Sequence, residues 1–272
     1  MQGLLELLSG RDDRLELDRA ALELARIEYP NLATDRFIQT LDSYAGDLTG
    51  RLPADADGKA YIKTANAYFF EELGFKGNSG NYYDPRNSCL NDVIVERTGI
   101  PITLAVVYLE VARRLSRPVF GIGLPGHFLV QYRDLEYSAF IDVFHGGRLL
   151  TAAQCFEVAR EMTGGELHED ERLLFPVNKR QIVMRMINNL RGVYLFRRAY
   201  AKALETLNLL LTANPDSAED YKQRGIVHFQ MKNAPAARAD LETYLHLAPD
   251  ADDRPAVEKH LRSVRAYLAG LN

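Results

Sequence analysis

The chain has 272 residues, a formal net charge of −4 and a sequence pI near 5.9. That balance speaks against nucleic acid as the main partner, because neutralising phosphates needs a basic face. No apolar run reaches the ~18 residues of a membrane-spanning helix. The opening MQGLLELLSGRDDR has no basic n-region and too short an apolar stretch for a secretory leader. The sequence therefore predicts a cytoplasmic protein with no membrane partner. Cys89 and Cys155, the two cysteines, are too few for a disulfide framework and lack zinc spacing. No phosphate-loop or dinucleotide pattern is present, so no metal or cofactor is expected.

In chain order, residues 12–28 carry a wide apolar stripe through Leu17, Ala20, Ala21, Leu24, Ala25 and Ile27, ended by Pro30. Residues 34–48 repeat the pattern, with Thr34 placed to cap them and Phe37, Leu41, Tyr44 and Leu48 on one face. A third helix is predicted over 59–73, closed by Gly74. GFKGNSGNYYDPRN is a turn-rich loop, and a short helix follows over 88–96. Pro101 then opens a helix at the position where a missing N–H is no loss. From Ile102 to Ala112 only Thr103 and Glu110 are polar, which predicts burial on most faces. Strands are predicted over 119–123, 127–132 and 140–144, an antiparallel meander packing on the buried helix. A further helix covers 151–163, with Cys155, Phe156, Val158 and Ala159 on its apolar side. Residues 1–75 form a helical part and 76–175 the helix and sheet of one domain.

From about residue 180 the chain is helical and periodic. Pro215 and Pro249 are 34 residues apart, and the same shift aligns Ala203 with Ala237 and Leu207 with Leu241. Small residues at Ala203 and Ala237 let paired helices approach. The spacing resembles the tetratricopeptide repeat. The second unit keeps the family's small residue as Gly225, whereas the first has Arg191 there, and the family's tryptophan is absent from both. A cap helix should follow, with Val257, Leu261, Val264 and Leu268 inward. Residues 176–272 are read as an all-α repeat module.

The stretch from Asn87 to Phe144 places a buried helix, a strand opening on His127 and a strand holding Asp142. That is the order in which papain-like and transglutaminase-like folds set nucleophile, base and orienting carboxylate. A buried Asp142 needs a partner, and His127 suits it. The strings GFKGN, YYDPRNSCLNDVIVERTGIPITLAVVYLEVARRL, GIGLPGHFLVQY and FIDVFHGGRLL resemble the SirB1 family, a branch of the transglutaminase-like superfamily. The resemblance covers most of the chain. It implies an α+β transglutaminase-like (papain-like) domain with a helical N-terminal part and an antiparallel sheet, followed by the repeats. Active members of the wider superfamily begin the helix with a glycine, one residue and the nucleophilic cysteine. Gly99 matches the glycine and Pro101 falls on the cysteine. His127 matches the base and Asp142 the carboxylate. The SirB1 branch shares the proline, and its name links it to regulation of bacterial invasion genes, which implies a regulatory or accessory role.

Three functions follow as expectations. The first is a catalytically degenerate protein that binds a protein or peptide through the old cleft or the repeats. The second is a cysteine-dependent hydrolase or acyltransferase using Cys89, His127 and Asp142. The third is a non-covalent hydrolase in which His127 and Asp142 act through water. The loop residues Asp84, Arg86, Asn87 and Asn91 are candidates to bind a polar ligand, set against plain turn and capping chemistry around Pro85. Cys155 reads as core packing.

Overall fold

A computed structural model describes residues 2–9, 11–165 and 167–270. It opens with a helix the sequence pattern does not announce, α1 (Gln2–Ser9). Its Leu4 and Leu8 are both buried, one turn apart on one face. α2 (Leu17–Ala25) is shorter than the predicted 12–28 segment, because Asp12–Arg14 form a separate 3-10 turn. α3 (Asp35–Arg51) follows, but Thr34 has helical backbone angles and makes no side-chain capping bond, so it does not fill the cap role expected of it. α4 (Gly58–Asn66) runs into a π-helical turn, Ala67–Glu72, and Gly74 ends the pair with φ of 75°.

The Gly- and Asn-rich loop contains β1 (Lys76–Gly77) and a 3-10 turn, Pro85–Ser88. α5 (Leu90–Glu96) comes next, and β2 (Thr98–Gly99) then pairs in parallel with β1. α6 (Pro101–Arg114) carries its proline in the first turn and is buried without a break from Pro101 to Ala112. Its two polar residues are both satisfied. The Thr103 hydroxyl donates to the Asn87 carbonyl at 2.6 Å. The Glu110 carboxylate takes Arg113 at 2.8 Å and Arg114 at 2.9 Å. Arg114 also reaches Asp18 on α2 at 2.7 Å and Asp42 on α3 at 2.6 Å. Burial pushes the Glu110 carboxyl up. Burial works the same way on Asp18, but hydrogen bonds from Arg114 and the Arg19 amide outweigh it and hold that carboxyl below its ordinary value.

β3 (Val119–Ile122), β4 (Leu129–Arg133), β5 (Ser138–Asp142) and β6 (Arg148–Leu150) form one four-stranded antiparallel meander in that order. β6 extends the three strands expected from sequence. The strand ends also differ from expectation: His127 precedes β4 and Asp142 is the last residue of β5. β4 is buried on both faces. Tyr132 meets Tyr61 of α4, their rings 5.6 Å apart, while Leu129 joins a core with Cys155, Phe156 and Ala159 of α7 (Ala152–Thr163). Thr151 and Gln154 close α7 with a reciprocal capping box. β1 lies against the turn after β5 because residue 77 is glycine. A Cβ there would sit 2.5 Å from the Phe144 ring and 2.6 Å from its carbonyl oxygen.

The chain divides into two compact units, the first ending at Met186 and the second starting at Ile187. α8 (Lys179–Phe196) runs across this division. Within the first unit, the amides of Lys179 and Arg180 donate to the Asp12 carboxylate at 3.4 and 2.8 Å, so a side chain from the start of the sequence caps α8.

The second unit is all-α: α9 (Tyr200–Ala213), α10 (Ala218–Gln230), α11 (Ala234–Leu247) and α12 (Arg254–Ala269). Ala203 and Ala237 are fully buried, and a Cβ on Gly225 would lie 2.9 Å from Leu241. Polar links bind neighbouring helices: Arg224 grips Asp240 through two bonds of 2.8 and 2.7 Å, and Arg191 pairs with Asp220. α12 buries Val257, Leu261 and Val264, with Leu268 packed beside them. The architecture is thus an α+β unit followed by helical repeats.

Candidate functional site

Asp142 ends β5 and its side chain caps the 3-10 turn Val143–His145, accepting the amides of Phe144 and His145 at Oδ1, 3.2 and 3.3 Å away. The turn folds back, and Gly146 leaves it with φ of 69°. His145 is thereby returned to the carboxylate that started the turn, with Nδ1 2.7 Å from Oδ2. His127 arrives from the β3–β4 connection, its Nε2 3.1 Å from Oδ1. One carboxylate therefore holds two imidazoles, whose ring centres are 5.9 Å apart. His127 is 2% exposed and Asp142 fully buried, whereas the His145 side chain is 54% exposed. Burial alone would raise the Asp142 carboxyl. The bond and charge of His127, and then those of His145, outweigh burial and hold it at about 2.

The surroundings fix this cluster. Arg185 of α8 donates from Nη2 to the carbonyls of Leu124 and His127, both at 2.6 Å, and its guanidinium lies over the Phe128 ring. Phe144 stands edge-on to His127 and to Tyr82. Cys155 of α7 is buried, and desolvation followed by the negative charge of Asp142 pushes its thiol up to about 12. It is a protonated core thiol at neutral pH.

A second feature lies on the loop before α6. A cavity of about 210 Å³ is lined by Asp84, Arg86 and Asn87 together with Asp92, Glu96 and Thr98. Three of the four candidate ligand-binding residues therefore share one cavity, and each also builds the loop. Asp84 caps the turn after it and takes Arg86 at 2.8 Å. Asn87 donates to the carbonyls of Asn81 and Tyr82 and accepts from Asn78 at 2.9 Å. The fourth, Asn91, is buried and donates to Asp92 at 3.2 Å, while its Oδ1 has no hydrogen-bond partner among the described residues. Burial raises the Asp92 carboxyl against the opposing bond from Tyr29.

Pro101, at the head of α6, brings no ionisable group to that helix end. Cys89 sits buried at the N-cap of α5, without a side-chain capping bond.

The fold and the His–Asp pair raise the question of ancestry, and comparison with known proteins answers it. The family described as transglutaminase-like superfamily matches residues 35–188. The chain belongs to the transglutaminase-like superfamily. A tetratricopeptide repeat family matches residues 190–262. A UPF0162 protein of Xylella fastidiosa (strain 9a5c) is 37% identical over 253 residues, covering 92% of this chain and 90% of that protein. Protein SirB1 of Salmonella typhimurium is 22% identical over 85% of this chain and 84% of its own length. The human F-box only protein 21 is 30% identical over 58% of this chain, a match that spans 26% of that protein. The chain is thus a SirB1-like, UPF0162-type member of the superfamily, with its transglutaminase-like part ahead of the repeats.

Sequence reasoning paired His127 with Asp142 and did not find His145. The signal was available as Asp142-x-x-His145-Gly146-Gly147. It acquires meaning only when the aspartate ends a strand and caps the turn that follows, since that brings residues three apart onto one side.

Proposed function

We propose that this chain is a catalytically degenerate transglutaminase-like protein that acts by binding a protein or peptide partner in a regulatory or accessory role. The observation that carries the reading is Pro101 at the head of the buried helix, where the resemblance to active members of the superfamily puts the attacking thiol. The imidazole and carboxylate that would have served that thiol persist, but His127 is 2% exposed and spends a ring nitrogen on Asp142. Of the two cysteines, Cys155 is held protonated up to about 12, and Cys89 is buried at the N-cap of α5. On this reading a buried base whose thiol position holds a proline no longer runs acyl transfer. The repeats supply the binding element, since tetratricopeptide units serve as extended recognition surfaces. Among the described residues no helix is long and apolar enough to cross a membrane.

Two measurements test this. Intact-mass analysis after incubation with a glutamine-containing peptide and with an active-ester acyl donor should show no adduct; an acyl group on Cys89 would overturn the reading. Affinity capture should then recover a defined partner with the wild-type chain and lose it in the double variant Phe196→Ser, Met231→Ser. These side chains are exposed and apolar, near the ends of α8 and α10. An unchanged partner profile would move binding away from the repeats.

A further inference from the structure

We propose that His127, Asp142 and His145 form a binding site for one divalent transition cation of the zinc class. The sequence predicts no metal, because the three residues show no zinc-type spacing. The fold assembles them anyway. His127 Nε2, a carboxylate oxygen of Asp142 and His145 Nδ1 all lie within 4.8 Å of one another. Two imidazoles and one carboxylate are an N,N,O donor set suited to Zn²⁺ and its first-row neighbours rather than to Mg²⁺ or Ca²⁺, which take oxygen ligands.

The geometry is close to what an ion needs. Bonds of about 2.0–2.2 Å to nitrogen and oxygen put the donor atoms of a tetrahedral site roughly 3.4 Å apart. The contacts to Asp142 are 3.1 Å from His127 to Oδ1 and 2.7 Å from His145 to Oδ2, so the carboxylate would meet the ion through both oxygens or through one oxygen shared by the two rings. Seating an ion therefore requires drawing donor atoms that now lie within 4.8 Å of one another slightly closer. The ring that must move is His145, which is 54% exposed and can turn without disturbing the core. His127 and Asp142 stay where they are.

The protons balance without an added reagent. In the empty cluster each imidazole can donate its carboxylate-facing N–H to Asp142. An ion takes the place of those two hydrogens. A neutral ring then carries its proton on the other nitrogen, and a protonated ring gives one proton to solvent as the ion binds.

The outer contacts are also those of a built site. Oδ1 of Asp142 is anchored by the amides of Phe144 and His145, and the Gly147 amide holds the Asp142 carbonyl at 2.9 Å. Arg185 fixes the backbone of His127. Such second contacts orient ligands before the metal arrives. The exposed side of His145 gives the ion an entry path and leaves its fourth position to water. This inference does not depend on the partner-binding reading, since an ion could occupy the cluster whether or not the repeats bind protein.

The experiment uses the tag-free full-length chain. Zn²⁺ is titrated by calorimetry, and Co²⁺ is titrated while visible absorption is recorded. The expected result is one ion per chain, visible bands of four- or five-coordinate Co²⁺, and a melting temperature raised by Zn²⁺ but not by Mg²⁺. His145→Ala removes an exposed side chain and should fold normally. It should weaken Zn²⁺ binding by at least about tenfold, the loss seen even when an outer-shell partner is removed. His246→Ala and His260→Ala should bind like wild type. Absence of saturable Zn²⁺ binding tighter than about 100 µM, or binding unchanged by His145→Ala, would overturn the proposal and leave the cluster as a hydrogen-bonded triad.

Discussion

Helices α6 and α10 are nearly equal in length, 14 and 13 residues, but they are held in different ways. α6 is buried from Pro101 to Ala112, so its polar residues must find partners inside the fold. Glu110 does so through Arg113 and Arg114, and the network continues to Asp18 and Asp42. α10 buries Asp220, Gly225 and Val227 and packs on a neighbour from the same repeat array. Its ion pairs join adjacent helices at partly open positions. The first arrangement ties distant segments to one central rod, so a fault there is felt across the unit. The second spreads its support over repeated local interfaces, and a fault should stay near its origin.

The largest expected effect tests the central network. Arg114→Ala leaves Glu110 and Asp18 buried with less compensation and should cost about 3–5 kcal/mol in urea unfolding. Adding Glu110→Gln should recover part of that loss, because the second substitution removes one stranded charge. Additive losses would show that the charges are not coupled.

Leu104→Ala and Leu241→Ala form the next test. Each should cost about 2–5 kcal/mol through transfer and cavity terms, but hydrogen exchange should separate them. Leu104→Ala should speed exchange in α6 and in β3 to β5. Leu241→Ala should confine it to α10, α11 and their neighbours in the array. Equal spread in both variants would erase the contrast.

A smaller effect, about 1–3 kcal/mol from overpacking, is expected for Gly77→Ala. The new methyl collides with Phe144 and should displace the turn that carries His145. Imidazole NMR signals of His145 should shift more than those of His246.

The smallest effect is chemical. The Cys155 thiol is raised to about 12 by burial and by Asp142. A raised thiol contributes stability that is present below the unfolded thiol pKa of about 8.5 and is lost as pH rises from there toward 12. Peptide mapping after iodoacetamide treatment should find native Cys155 unlabelled up to pH 9, while the same residue in urea labels readily. Fast native labelling at pH 8 would contradict the assigned environment.

Much of this molecule was legible in its residues. Pro101 marked the start of α6, the apolar run after it marked burial, and the 34-residue spacing of Pro215 and Pro249 marked the repeats. The elements that escaped are those whose signal is tertiary. β6 has only three residues, two of them exposed, too short for alternation to register. α1 is short as well, with little room for an apolar stripe to repeat. Thr34 has a capping residue's chemistry, but its backbone is already helical. His127 and Asp142 could be paired from burial alone, since a buried carboxylate needs a donor. His145 could not, because its role depends on where β5 stops.

One bond in the first unit has a bearing on how the chain is made. Asp12 caps α8 through Arg180, 168 positions later. A ribosome must therefore release most of the first unit before this clasp can close. Until then α2 has its partners on α5 and α6, while the Asp12 side chain waits without α8 through most of translation. Any factor that guards the growing polypeptide would meet the amino-terminal segment before the clasp forms.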